Sequence, residues 1–247
     1  MTAAAMTQWL ALGLCAIFAL LRLPGAIKGQ NRGMAAALLL ATLGICLSLD
    51  VFYRPIDGLL GGVNVANLIL RFSLYIFFII LGTKGAVAFK APRTARLISG
   101  PTGWVVLGGI AAFTVACFLS ADMPESSTGL WAYGGQPAVE AYGLAGRIYP
   151  AYIAACLLIP VFAAALDRRQ GKCLRVGLLV LGVGLVTVVV YAVTKMLNLP
   201  MGYWDLVIPF CAIILVAGGL LVVWLTNLTA HRQPKYGLLA KTYGGRG

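Results

Sequence analysis

Seven stretches of about twenty residues, each nearly free of charge, decide what this chain can become: 3–21, 34–53, 63–82, 98–120, 141–166, 176–197 and 204–228. About twenty apolar residues in helical conformation cross the hydrocarbon core of a bilayer. The segments between them are too short to form a domain of their own. Across the 247 residues, 61% are hydrophobic and 11% charged, whereas a soluble domain carries roughly a quarter charged residues. That charge cannot cover a water-facing surface. The expectation is an all-α membrane protein: one seven-helix transmembrane domain over 1–229, a short basic tail over 230–247, and no soluble domain.

The charges that remain orient the bundle. Fifteen of the nineteen Lys and Arg residues follow the first, third, fifth and seventh stretches, and the alternate loops hold mainly acids. Basic loops stay on the cytoplasmic side, so the N-terminus is expected outside and the C-terminus inside, in the cytoplasmic membrane. Tyr53, Trp131, Tyr142, Tyr203 and Trp204 then form an aromatic belt at the outer interface. No positive residue precedes the first stretch, while Arg22, Lys28 and Arg32 follow it. A cleavable signal has its charges in front, so this stretch reads as a retained helix. The net charge of +12 therefore belongs to topology. No nucleic-acid partner is expected, since no extramembrane segment could build a basic face.

Stretches 1 to 3 and 5 to 7 have matching spacing, each with a basic loop after its first member and a short turn after its second. One helix between the triplets would give them the same orientation, a parallel 3+1+3 plan of the kind found in some carriers. The Pro-Gln pair of the SWEET-type sugar carriers is absent.

Ionisable groups inside apolar spans cost several kcal/mol unless paired or wet, so they are the first candidates for function. Five cluster in the outer half: Asp50, Arg71, Arg147, Lys195 and Asp205. At about 1.5 Å of rise per residue, Arg71 lies some 10 Å deep, where snorkelling alone barely suffices. Asp50 is the nearest acid, and an Asp50–Arg71 pair is expected. The cluster would either line an outward-facing cavity for an ion or small polar solute, or lock the helices as a structural ion pair.

Other chemistry lacks its residues. Cys15, Cys46, Cys117, Cys156 and Cys211 lie within spans and Cys173 in a basic loop, with no CxxC pair, which argues against disulfides and zinc. A single His231 cannot supply a bis-histidine haem. The seventh stretch has no lysine for a retinal Schiff base. No zinc-protease, phosphate-loop or triad motif is present, so neither enzyme activity nor a cofactor or metal is expected. The glycines at 108, 109, 182, 184, 218 and 219 read as small residues for close helix packing.

Leu21-Arg-Leu-Pro-Gly-Ala, Tyr53-Arg-Pro-Ile-Asp57-Gly-Leu-Leu-Gly61 and Asn64-Val-Ala-Asn-Leu follow one another through the first half of the chain. With Gln136-Pro-Ala-Val-Glu-Ala-Tyr142, Leu174-Arg-Val-Gly-Leu and Tyr191, this pattern resembles a family of actinobacterial seven-helix integral membrane proteins, some labelled as transporters. The resemblance implies membrane residence. The expected function is a small-solute or ion carrier using the outer cluster; the alternative is a non-transporting sensor or scaffold that assembles with partner proteins. A cavity reaching past Arg71 would favour the carrier, and a fully packed bundle the alternative.

Overall fold

Proline marks where three helices begin: Pro92–Ser99, Pro101–Ser120 and Pro137–Leu166. At the first helical position its missing N–H forfeits no bond. The computed structural model describes residues 2–29 and 31–232. In chain order the helices are α1 (Ala3–Ile27), α2 (Arg32–Cys46), α3 (Asp50–Leu59), α4 (Val65–Ala88), α5 (Pro92–Ser99), α6 (Pro101–Ser120), α7 (Pro137–Leu166), α8 (Lys172–Met196) and α9 (Trp204–Arg232), with a kinked 3₁₀ segment, Thr128–Tyr133, between α6 and α7. No strand occurs among the described residues. The basic tail expected over 230–247 lies outside them from residue 233 on.

Six helical stretches are long and apolar enough to cross a membrane, α5 and α6 counting together, and a seventh follows if α2 and α3 form one span. The expected helix over 34–53 is thus corrected. It ends at Cys46, the Ser48 hydroxyl donates back to the Ile45 carbonyl at 2.6 Å, Leu49 is extended, and α3 leaves at 95° to α2. Asp50, Tyr53, Arg54 and Asp57 stand at i, i+3, i+4 and i+7, one polar stripe that begins where α2 would have to continue straight. The bend leaves Asp50 and Arg54 exposed and seats Tyr53 and Asp57 at 0% exposure. A straight continuation would carry Asp50 and Arg54 along the apolar wall.

Six helices close a ring. α1 packs on α2, α2 on α4, α4 on α7, α7 on α8, α8 on α9, and α9 back on α1. α6 stands outside this ring against α7, with α5 joining it to α4. One end of the bundle carries Asp50, Asp57, Asp122, Glu125, Glu140 and Asp205; the other carries the loops rich in Lys and Arg. At the acidic end the Ala4 amide donates to the Tyr203 hydroxyl at 2.7 Å, tying the start of α1 to the turn before α9. The main core joins Phe18, Leu38, Tyr75, Tyr149, Ile153, Leu157 and Leu185.

Small residues set the α8–α9 contact. A Cβ on Gly184 would lie 2.8 Å from the Val216 backbone nitrogen, and one on Gly219 would lie 2.7 Å from the Leu181 Cα. Such close approach is the usual way helices bind each other in lipid. Gly108, Gly109 and Gly218 face open space instead. Leu10, Ile17, Leu20, Val105, Leu119 and Ile159 project from the outside of the bundle, the all-round apolarity of helices whose solvent is lipid.

Candidate functional site

The ring does not close on its axis. It surrounds a cavity of about 270 Å³ to which all six ring helices contribute. Near the acidic end the walls carry Arg71 from α4, Arg147 from α7 and Asp205 from α9, with Thr128, Gly129 and Trp131 of the 3₁₀ segment at the rim. Further along, the lining becomes apolar: Leu38, Ala41, Phe77, Phe78, Val188 and Val216. From Arg71 to Phe78 is seven residues, about 10 Å of helix. The cavity therefore extends well past Arg71.

Arg71 is held by packing rather than by an acid. Its Cζ lies 5.1 Å from the Tyr142 ring centre, a cation–π distance. The Tyr142 hydroxyl donates to Asn67 Oδ1 at 3.0 Å, which fixes the ring. Gly146 of α7 makes room for Arg71: a Cβ there would push the guanidinium aside. The Nε of Arg71 is buried and makes no hydrogen bond. Arg147 is placed similarly, its Cζ 5.7 Å from the Tyr191 ring centre. Tyr191 in turn donates to the Asp205 carbonyl at 3.3 Å.

Two ion pairs occur among the described residues. Lys195 Nζ meets Asp205 Oδ2 at 2.6 Å, each side chain 19% exposed, while Asp205 Oδ1 is buried without a partner. Asp50 pairs with Arg54 at 2.9 Å and accepts the Thr128 hydroxyl at 2.6 Å. The expected Asp50–Arg71 pair is not formed. The bend after Cys46 takes Asp50, 57% exposed, out onto the end of the bundle. The structure thus brings Arg71, Arg147 and Asp205 to one cavity, places Lys195 behind Asp205, and sets Asp50 aside at the rim beside Thr128.

Asp57 is the residue whose role the sequence did not disclose. Its carboxylate accepts the amides of Asn64 at 2.9 Å and Ala66 at 3.0 Å, and the Ser126 hydroxyl donates to it as well. The exposed amides of a helix start favour negative charge, so α4 itself offsets the buried Asp57. Asn64 continues the network. Its amide nitrogen donates to the Glu125 carbonyl at 2.8 Å, and its oxygen accepts the Ser127 amide at 2.7 Å and the Tyr53 hydroxyl at 3.0 Å. This network straps the 121–136 connection to α3 and α4 and so holds Thr128 to Trp131 over the cavity.

The electrostatic balance follows. Asp205 is neutralised by Lys195, Asp50 by Arg54, and Asp57 is engaged by the α4 amides. Arg71 and Arg147 are the charges left facing the cavity without a carboxylate. Comparison with protein-family models, curated proteins and solved structures finds no match to this chain.

Proposed function

We propose that the protein is a multi-pass carrier of the cytoplasmic membrane, N-terminus outside and C-terminus inside, moving a small polar solute or ion through the central cavity. The observation that carries this reading is the cavity itself: it lies inside the ring, holds charged groups without carboxylate partners, and continues past Arg71. A fully packed bundle would have argued the other way. The orientation is supported by the separation of acidic and basic ends, and the resemblance to seven-helix membrane proteins belongs to the same proposal.

The order of helices around the ring supports the parallel 3+1+3 plan. Exchanging α1, α2 and α4 for α7, α8 and α9 maps every ring contact onto another, the α1–α9 contact onto the α7–α4 contact. α6, the helix that would join the two triplets, is the one outside. Substrate sites in repeat carriers lie between the repeats, which is where this cavity is.

A ligand that binds only the folded state must raise its stability. The purified protein should therefore melt at a higher temperature with at least one member of a panel of ionic and polar solutes, and the cavity-filling variant Ala41→Phe should not respond. Stabilisation of neither protein, or of both equally, would contradict the reading. One observation favours the second reading, a sensor or scaffold: the cavity is apolar beyond Arg71, and a carrier site ordinarily offers polar contacts near the midplane. A sensor would bind the solute as a carrier does and then fail to pass it across a membrane.

A further inference from the structure

We infer that the solute is a small organic carboxylate, its head group held by Arg71 and Arg147 and its apolar part lying against Phe77 and Phe78. The role of this site rests on the carrier reading; its ligand chemistry rests on the cavity alone.

The charge balance selects an anion. Asp205 is the one acid lining the cavity, and it is already bound by Lys195 at 2.6 Å. A cationic solute would meet two guanidiniums against one carboxylate whose charge Lys195 already offsets, with only its buried Oδ1 unbonded. Arg71 has its guanidinium at cation–π distance from Tyr142 and a buried Nε with no acceptor. A buried donor left unmade is costly, and the parallel N–H groups of a guanidinium match the two oxygens of a carboxylate. Arg147, from α7, brings a second charge to the lining of the same cavity.

The apolar remainder selects an organic anion over an inorganic one. Phosphate or sulfate at the two guanidiniums would leave the chamber walled by Leu38, Phe77 and Phe78 without an apolar occupant. A hydrocarbon tail would supply one. The volume of about 270 Å³ holds about nine waters at roughly 30 Å³ each. That is room for a carboxylate with a short hydrocarbon part, such as octanoate.

The test is equilibrium binding of radiolabelled octanoate to the purified protein in an uncharged detergent, with octylamine, octanol and palmitate as competitors. Octanoate should bind saturably, octylamine and octanol should not displace it, and Arg71→Gln and Arg147→Gln should each weaken it at least tenfold. Arg71→Lys should recover only part, since an ammonium lacks the planar fork. Where Arg71→Gln fails to fold, Gly146→Ala displaces the guanidinium while keeping its charge, and it too should weaken octanoate. Displacement by octylamine or octanol, or unchanged binding in both glutamine variants, would overturn the inference. Competition by palmitate that depends on Arg71 would overturn the small-solute assignment in favour of an anion drawn from the bilayer. Octanoate that binds but does not enter proteoliposomes would defeat the carrier reading and leave this one standing. Uptake of a cation or neutral solute through the same cavity would do the reverse.

Discussion

The acids Asp50, Asp57 and Asp205 each find a partner, and the partners differ from those that chain position suggests. Asp50 and Arg71 are close along the hairpin but do not meet; Asp50 is an exposed partner of Arg54. Exposed pairs contribute about 0–1 kcal/mol. A double-mutant cycle of Asp50→Asn with Arg71→Met, read by unfolding in micelles, should therefore show coupling below about 0.5 kcal/mol. The cycle of Lys195→Met with Asp205→Asn should exceed about 1 kcal/mol, because residues in direct contact couple by roughly 0.5–3 kcal/mol. Asp57→Ala should cost about 2 kcal/mol, the upper end for a lost helix cap; a cost near that of Asp50→Ala would contradict the network. The four residues Arg71, Arg147, Lys195 and Asp205 were legible because charge in an apolar run stands out. Asp57 was not, because its partners at Asn64 and Ala66 are backbone amides, which no residue pattern reveals.

Hydropathy locates spans well because it sums over a window, and for the same reason it passes over a bend. The stretches at 63–82, 141–166, 176–197 and 204–228 correspond to α4, α7, α8 and α9 with ends shifted by a few residues, as helix ends usually are. The stretch at 34–53 has the right composition and the wrong shape. At its end Asp50 and Tyr53, with Arg54 and Asp57 just beyond, form one polar stripe, and the chain turns there, leaving Asp50 and Arg54 exposed and Tyr53 and Asp57 buried. In a chain whose native cysteines are replaced, Arg54→Cys should react rapidly with a polar maleimide and Tyr53→Cys should resist it. Equal protection of both would restore a straight helix. The same reagent tests orientation. If membrane-impermeant, it should label Arg54→Cys on intact cells, and, in a chain that keeps Cys173 as its one cysteine, should reach that residue, exposed at the basic end, only after permeabilisation; labelling in the opposite order would invert the topology.

At the scale of the molecule, the ring of six helices with α6 outside explains why a chain this apolar retains guanidiniums in its interior. The cost of Arg71 and Arg147 is offset by cation–π contacts with Tyr142 and Tyr191 and by their access to the cavity. Seven apolar stretches could be counted from the sequence, six of them helices able to cross a membrane and the seventh bent. The ring could not, because apolar helices such as α8 and α9 present no strong polar face from which to infer neighbours; contact is set by Gly184 and Gly219 instead. Filling the cavity should separate stability from function. Ala41→Phe should leave the melting temperature of the unliganded protein within a few degrees, since overpacking costs about 1–3 kcal/mol and open volume is available, yet it should abolish ligand response. The most direct test of a path through the ring is uptake of labelled solute, with octanoate first, into proteoliposomes holding the wild-type protein or Ala41→Phe. Saturable uptake with the wild type, absent with Ala41→Phe, is the result this structure predicts. Equal uptake by the two proteins, or binding without uptake by the wild type, would contradict it.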